Sequence, residues 1–208
     1  VPLDLLMLYA VAALGLSLTP GPNGLLALTH GVRFGVGLAV FTVMGGVAGF
    51  LVLIAASLAG LGALLAASHT AFTVTRWIGG ACLIYLGLRL WKAPPLAVAA
   101  AAPGDGNGGA GPWRLFLQGF LVAVSNPKAL VFFAAFLPQF MVPDLSYGMQ
   151  FAVLGGTFAL TEFVYELVLA GMAQRIAPWL CRYGRWFNWT TGALFVGIGG
   201  VLATASRG

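Results

Sequence analysis

Gly35–Leu58 is an apolar run without one charged side chain. A helix crossing a hydrocarbon core of about 30 Å needs about 20 such residues. The rest of the chain carries the same message. It has 208 residues, of which 60% are hydrophobic and only 7% charged. Soluble domains carry about a quarter charged residues, so this chain could not cover a water-facing surface. Lipid is the solvent that fits, and the length leaves room for about six spanning helices joined by short loops.

The net charge of +5 does not point to nucleic acid, because the ten basic residues form no run and lie near segment ends. Asp4 precedes the first apolar segment and no Lys or Arg does. A signal peptide would have a basic leading region, so that segment is expected to be a retained helix. Cys82 and Cys181 have no CxxC spacing and read as packing residues. His30 and His69 have no second ligand at metal spacing, so no metal and no cofactor are expected.

Six hydrophobic segments are predicted: Leu5–Leu28, Gly35–Leu58, Thr70–Trp91, Trp113–Phe140, Tyr147–Ala173 and Trp186–Thr204. They must be helices, since lipid-facing backbone has to satisfy its own hydrogen bonds and the runs are too long for barrel strands. The fold class is therefore all-α, a polytopic membrane protein. Ala93–Pro112, rich in Pro, Ala and Gly, reads as a flexible linker. It divides the chain into residues 1–92, a first three-helix unit, and 113–208, a second, together forming one integrated membrane domain.

With six spans, three loops fall on one side, carrying Arg33; Arg89, Lys92 and Arg114; and Arg175, Arg182 and Arg185. The other side has Asp4, Arg76, Asp144 and Arg207. The positive-inside rule puts the basic loops in the cytoplasm and both termini outside.

The halves share features. Gly21-Pro22-Asn23 interrupts the first segment and Asn126-Pro127-Lys128 the fourth. Trp77, Gly80, Ala81 and Gly87 recur at identical spacing as Trp189, Gly192, Ala193 and Gly199, and Gly45-Gly46 is echoed by Gly155-Gly156. Each half has an odd number of spans, so the halves are expected to be inverted repeats. Paired broken helices in inverted repeats mark secondary transporters, with the site at the midplane between the breaks.

The candidate site follows from those breaks. Proline lacks an N–H and clashes with the preceding turn, so Thr19-Pro20-Gly21-Pro22-Asn23 cannot continue a regular helix. The half-helix starting near Asn23 would offer free N–H groups and a positive dipole end to a substrate carboxylate. Ser125-Asn126-Pro127-Lys128 repeats the device and adds a positive charge. Glu162 and Glu166, at i and i+4, share a helix face in the fifth segment. A charge at the bilayer centre is costly and is a functional candidate by default. Two carboxylates so close in a low dielectric resist being ionised together, which suits reversible proton binding; they could also hold a substrate ammonium. The competing reading is an ion pair with Lys128 or Arg33 that only fixes packing. Thr157, Thr161 and Tyr165 could line a cavity or bond between helices, and Phe132, Phe133 and Phe136 read as packing.

Thr19-Pro20-Gly21-Pro22-Asn23, Ile84-Tyr85-Leu86-Gly87 and the run from Asn126-Pro127-Lys128 to Leu137-Pro138-Gln139-Phe140 resemble the LysE family of amino-acid exporters, which includes the homoserine/threonine efflux type. The resemblance covers almost the whole chain. It implies an exporter in the bacterial inner membrane, with an amino acid as substrate, driven by the proton gradient. It leaves homo-oligomer formation open, fixes no substrate, and does not extend to Glu162 and Glu166. The runner-up is a cation transporter or channel using those two carboxylates. A thiol oxidoreductase fits poorly, since Asn23 and Asn126 stand beside the breaks where cysteines would be needed.

The topology has a direct test. Single cysteines at Ala100 and Ser206 should label from opposite faces of the membrane; labelling from one face would exclude six spans with both termini outside.

Overall fold

A computed structural model describes residues 1–18, 21–67, 111–142 and 145–175, with single residues between 74 and 92 and between 178 and 197. Thr19 and Pro20, linker residues 93–110, both cysteines and most of the third and sixth segments, including Gly80, Gly87 and Gly199, lie outside them. Every regular element among the described residues is helical.

The first segment forms α1 (Leu3–Leu18) and α2 (Pro22–Phe34), whose axes meet at 57°. Pro22 occupies the first turn of α2, where its missing N–H costs nothing. The helix continues past the expected Leu28 and stops at Phe34, where Gly35 takes φ 76° and its N–H bonds Gly31 O. Only glycine adopts that conformation without strain, and it turns the chain directly into α3 (Val36–Ala67). α3 outruns the expected end at Leu58 because the Ala and Leu residues that follow are among the best helix formers and outweigh Gly60 and Gly62.

The fourth segment gives α4 (Pro112–Val124) and α5 (Pro127–Ala135), bent by 53°. A short 3₁₀ turn, Leu137–Phe140, follows around Pro138. The fifth segment is α6 (Tyr147–Gly171), widened to π-helical geometry at Phe151–Gly155. Gln150 closes the loop before it, accepting from Val142 N at 2.9 Å and donating to Leu145 O at 2.8 Å. α3 and α6 are each long and apolar enough to cross a membrane, and each bent pair meets the same test as one unit.

α6 shows which solvent surrounds it. Leu160, Val164 and Val168 point outward, while Glu162 and Glu166 are buried. A soluble amphipathic helix does the reverse. On α1, Leu3, Met7, Leu8, Val11, Leu14 and Leu18 are likewise exposed. These surfaces are apolar enough to face lipid.

The core has two parts. One is aromatic: Tyr9, Phe50, Phe132, Phe133, Phe140 and Phe158 are buried together. Phe133 and Phe158 meet edge-on at 4.9 Å, Phe50 and Phe158 at 5.5 Å, and Tyr9 and Phe140 at 5.1 Å. That is the geometry ring quadrupoles favour. Phe132 and Phe133 thus pack in the core, and Phe136 lies against it. The other part has almost no side chains. Gly45 and Gly49 of α3 face Phe116, Phe120 and Ala123 of α4, and Gly119 faces the Thr42 carbonyl. Small residues let two backbones touch, which drives helix association where lipid removes the hydrophobic effect. Elsewhere, Trp91 Nε1 donates to Trp189 O at 2.9 Å, tying the third segment to the sixth.

The glycine contacts predict a steep cost. A Cβ at Gly45 would sit 1.9 Å from the Phe116 carbonyl oxygen, and one at Gly119 2.0 Å from that of Thr42. Gly45→Ala or Gly119→Ala should destabilise the protein by about 1–3 kcal/mol, the usual cost of overpacking. Gly37→Ala, with nothing within 4 Å, should not. Thermal unfolding in detergent measures both, and equal effects would refute the close contact.

Candidate functional site

The two breaks meet. Asn126 precedes α5, and its side-chain oxygen accepts from Lys128 N at 3.0 Å, capping the helix. Its Nδ2 donates to Asn23 Oδ1 across the junction, at 3.4 Å. Both asparagines are buried. Pro127 fills the first turn of α5, as Pro22 does in α2. Among the described residues no side chain caps α2: Gly21 sits extended at φ −134°, ψ 172°. Its first-turn N–H groups and positive dipole end therefore face the junction unsatisfied by any cap.

Lys128 crosses to the opposite half. Its Nζ donates to the Leu16 carbonyl at 2.9 Å, in the last turn of α1. That turn carries carbonyls without helical partners and a negative dipole end, so it suits an ammonium. The Lys128 side chain runs past Gly21, where a Cβ would lie 2.9 Å from Nζ. Glycine at that position leaves the path open.

The next residue along α1, Ser17, donates its hydroxyl to Glu162 Oε2. Both are buried. Glu162 and Glu166 stand one turn apart on the inner face of α6, both buried. Glu166 Oε1 is buried without a hydrogen-bond partner. Its Oε2 lies beside Asn23 Nδ2, both within 3.4 Å of the place a Cβ would take on Gly46. Gly46 thus keeps the floor of the site open from α3.

Of the residues singled out in the sequence, Gly21, Asn23, Asn126, Lys128, Glu162 and Glu166 gather at this junction, with Pro22 and Pro127 starting its two half-helices. Ser125 is exposed and spends its hydroxyl on the Leu121 carbonyl at 2.6 Å. Thr157 and Thr161 bond carbonyls one turn back in their own helix, at 2.7 Å and 2.8 Å. Tyr165 is half-buried near Gly24. Arg33 is exposed, its guanidinium 5.1 Å from the centre of the Phe34 ring. Sequence reasoning missed Ser17 and Gly46. The one available signal for Ser17 was a hydroxyl immediately before a proline break.

The family described as LysE type translocator matches residues 14–206. A homoserine/homoserine lactone efflux protein of Salmonella typhimurium is 33% identical over 200 residues, covering 95% of each chain. A leucine efflux protein of Enterobacter sp. is 32% identical over 202 residues, covering 94% of this chain and 93% of its own. An uncharacterized membrane protein of Pseudomonas aeruginosa is 34% identical over 206 residues, covering 95% and 94%. No solved structure matches. With buried carboxylates, lipid-facing apolar helices and a match along nearly its whole length, the chain is a membrane protein of the LysE type translocator family, a family of transporters and not of enzymes.

Proposed function

We propose that the protein exports amino acids from the cytoplasm by proton antiport, binding its substrate between the two helix breaks. The observation that carries this reading is the last turn of α1. It anchors Lys128 on Leu16 and Glu162 on Ser17, so opposite charges of the second half are held on adjacent residues of the first. Such a pair complements a zwitterion. The substrate carboxylate goes to Lys128 and to the N-terminal ends of α2 and α5. The ammonium goes to Glu162, with Glu166 behind it. Among the relatives, the names homoserine, homoserine lactone and leucine have an α-amino group in common, which is the group a carboxylate pair recognises.

For antiport, a proton must replace the ammonium on the return step. Two buried carboxyl groups one turn apart resist being ionised together, so the pair can take up one proton when substrate leaves. Ser17 would then hold Glu162 in place while its partner changes.

The same reading keeps six spans in two inverted halves, 1–92 and 113–208, in a bacterial inner membrane with both termini outside. It is supported by two bent pairs of similar angle, 57° and 53°, whose asparagines touch.

Proteoliposomes test the assignment. Lys128→Ala or Asn23→Ala should weaken substrate binding by about tenfold or more, the size expected on losing a hydrogen bond to a charged group. Glu162→Gln mimics the protonated state and should abolish efflux driven by an imposed pH gradient while leaving part of substrate exchange. Binding that survives both alanine changes would put the site elsewhere. Undiminished accumulation by Glu162→Gln would remove it from coupling.

A further inference from the structure

One buried titratable group has no part in the scheme above. His30 lies on the same face of α2 as Asn23 and Ala27, all buried. Its Nδ1 lies 2.7 Å from the Thr42 hydroxyl of α3. Its ring meets Phe34 edge-on at 5.3 Å.

Its place relative to the carboxyl pair follows from two independent contacts. On α3, Thr42 stands one turn before Gly46, the residue at whose surface Asn23 and Glu166 Oε2 meet. On α6, Ala170 stands one turn beyond Glu166, and its carbonyl lies against Gly31, next to His30, only 2.3 Å from the position of an added Cβ. Both contacts put His30 beyond Glu166 along the bundle, by one helical turn in the register of α3 and of α6 and by two turns from Asn23 on α2, toward the Arg33 end of the molecule.

The buried polar side chains among the described residues are Ser17, Asn23, His30, Thr42, Asn126, Gln150, Glu162 and Glu166. Gln150 belongs to a loop clamp. The other seven follow one another along the bundle, from the helix junction through Glu162 and Glu166 to the His30–Thr42 pair. Burying so many polar groups in a membrane protein is costly, and a file needs a reason that scattered hydrogen bonds do not.

We propose that His30 relays protons between the Glu162–Glu166 pair and the aqueous phase at the basic-loop end of the molecule. The inference rests on the antiport reading. An imidazole can accept a proton on one nitrogen while releasing one from the other, and the Thr42 hydroxyl can serve either tautomer. No bond to substrate is involved: the proton leaves Glu166, occupies the imidazole and passes to water. The charged group beside the imidazole is Arg33 on its own helix; Glu162 and Glu166 lie further along the bundle on α6, and α3 contributes the Thr42 hydroxyl.

His30→Gln tests this, because glutamine keeps a hydrogen-bonding partner for Thr42 but cannot carry a proton. In proteoliposomes, substrate counterflow without a pH gradient should stay near the wild-type rate, showing that the variant folds and binds. Efflux driven by a pH gradient should fall by about tenfold or more, the low end of what a positioned proton-transfer group contributes. Its dependence on pH at the basic-loop side should flatten. His30→Gln with wild-type gradient-driven efflux and pH profile would overturn this inference alone. Equal loss of counterflow and gradient-driven efflux would also overturn it, because His30 would then be a packing residue. A wild-type protein without gradient-driven efflux would overturn the antiport reading and this inference with it.

Discussion

A chain surrounded by lipid cannot leave a polar group to water, and the last turn of α1 is where this constraint is resolved. The turn ends in carbonyls without helical partners. One of them takes the ammonium of Lys128, and the next residue's hydroxyl takes Glu162. Without that turn a cation and a carboxylate would be stranded inside the protein, at several kcal/mol each. The break after Leu18 is therefore not a defect in a helix. It creates the unsatisfied backbone that the charges of the second half require, while the break after Val124 supplies the asparagine cap that aims Lys128.

Such a junction works only if the helices approach closely enough to exclude lipid and still leave room for side chains. Glycine supplies both. At Gly45 and Gly119 it lets α3 and α4 meet backbone to backbone; at Gly46 and Gly21 it leaves space for Asn23 and Lys128. The aromatic cluster of Phe50, Phe132, Phe133 and Phe158 packs against the other side of the break with rings at right angles. A small-residue contact and an aromatic block thus hold the polar file between them, and the apolar residues that would form the core of a soluble protein face outward.

Much of this was legible in the sequence, for stated physical reasons. The uncharged run marked α3, which is long and apolar enough to cross a membrane. Pro22 and Pro127 gave the breaks, because proline ends a helix whatever surrounds it. The i, i+4 spacing put Glu162 and Glu166 on one face, and both are buried together. What stayed hidden depends on tertiary contact. Ser17 is one hydroxyl among many until Glu162 arrives from a residue far along the chain. Gly46 reads as one more membrane glycine until Asn23 and Glu166 meet over it. The ends of α2 and α3 were not legible because each helix outlasts its bulky apolar run, α2 through the polar residues Thr29, His30 and Arg33 and α3 through the small residues after Leu58. The echo of Gly45-Gly46 in Gly155-Gly156 carries over to contacts in part: Gly45, Gly46 and Gly155 are buried against other helices, whereas Gly156 is exposed.

The central claim is that substrate occupies the meeting point of the two breaks. The most direct measurement is substrate protection of a thiol there. A protein with Cys82 and Cys181 replaced by serine and the single change Asn126→Cys is alkylated in inverted membrane vesicles with and without saturating transported amino acid. The account predicts slower alkylation when substrate is present and no effect from an amino acid that is not transported. Identical rates under all conditions would contradict it.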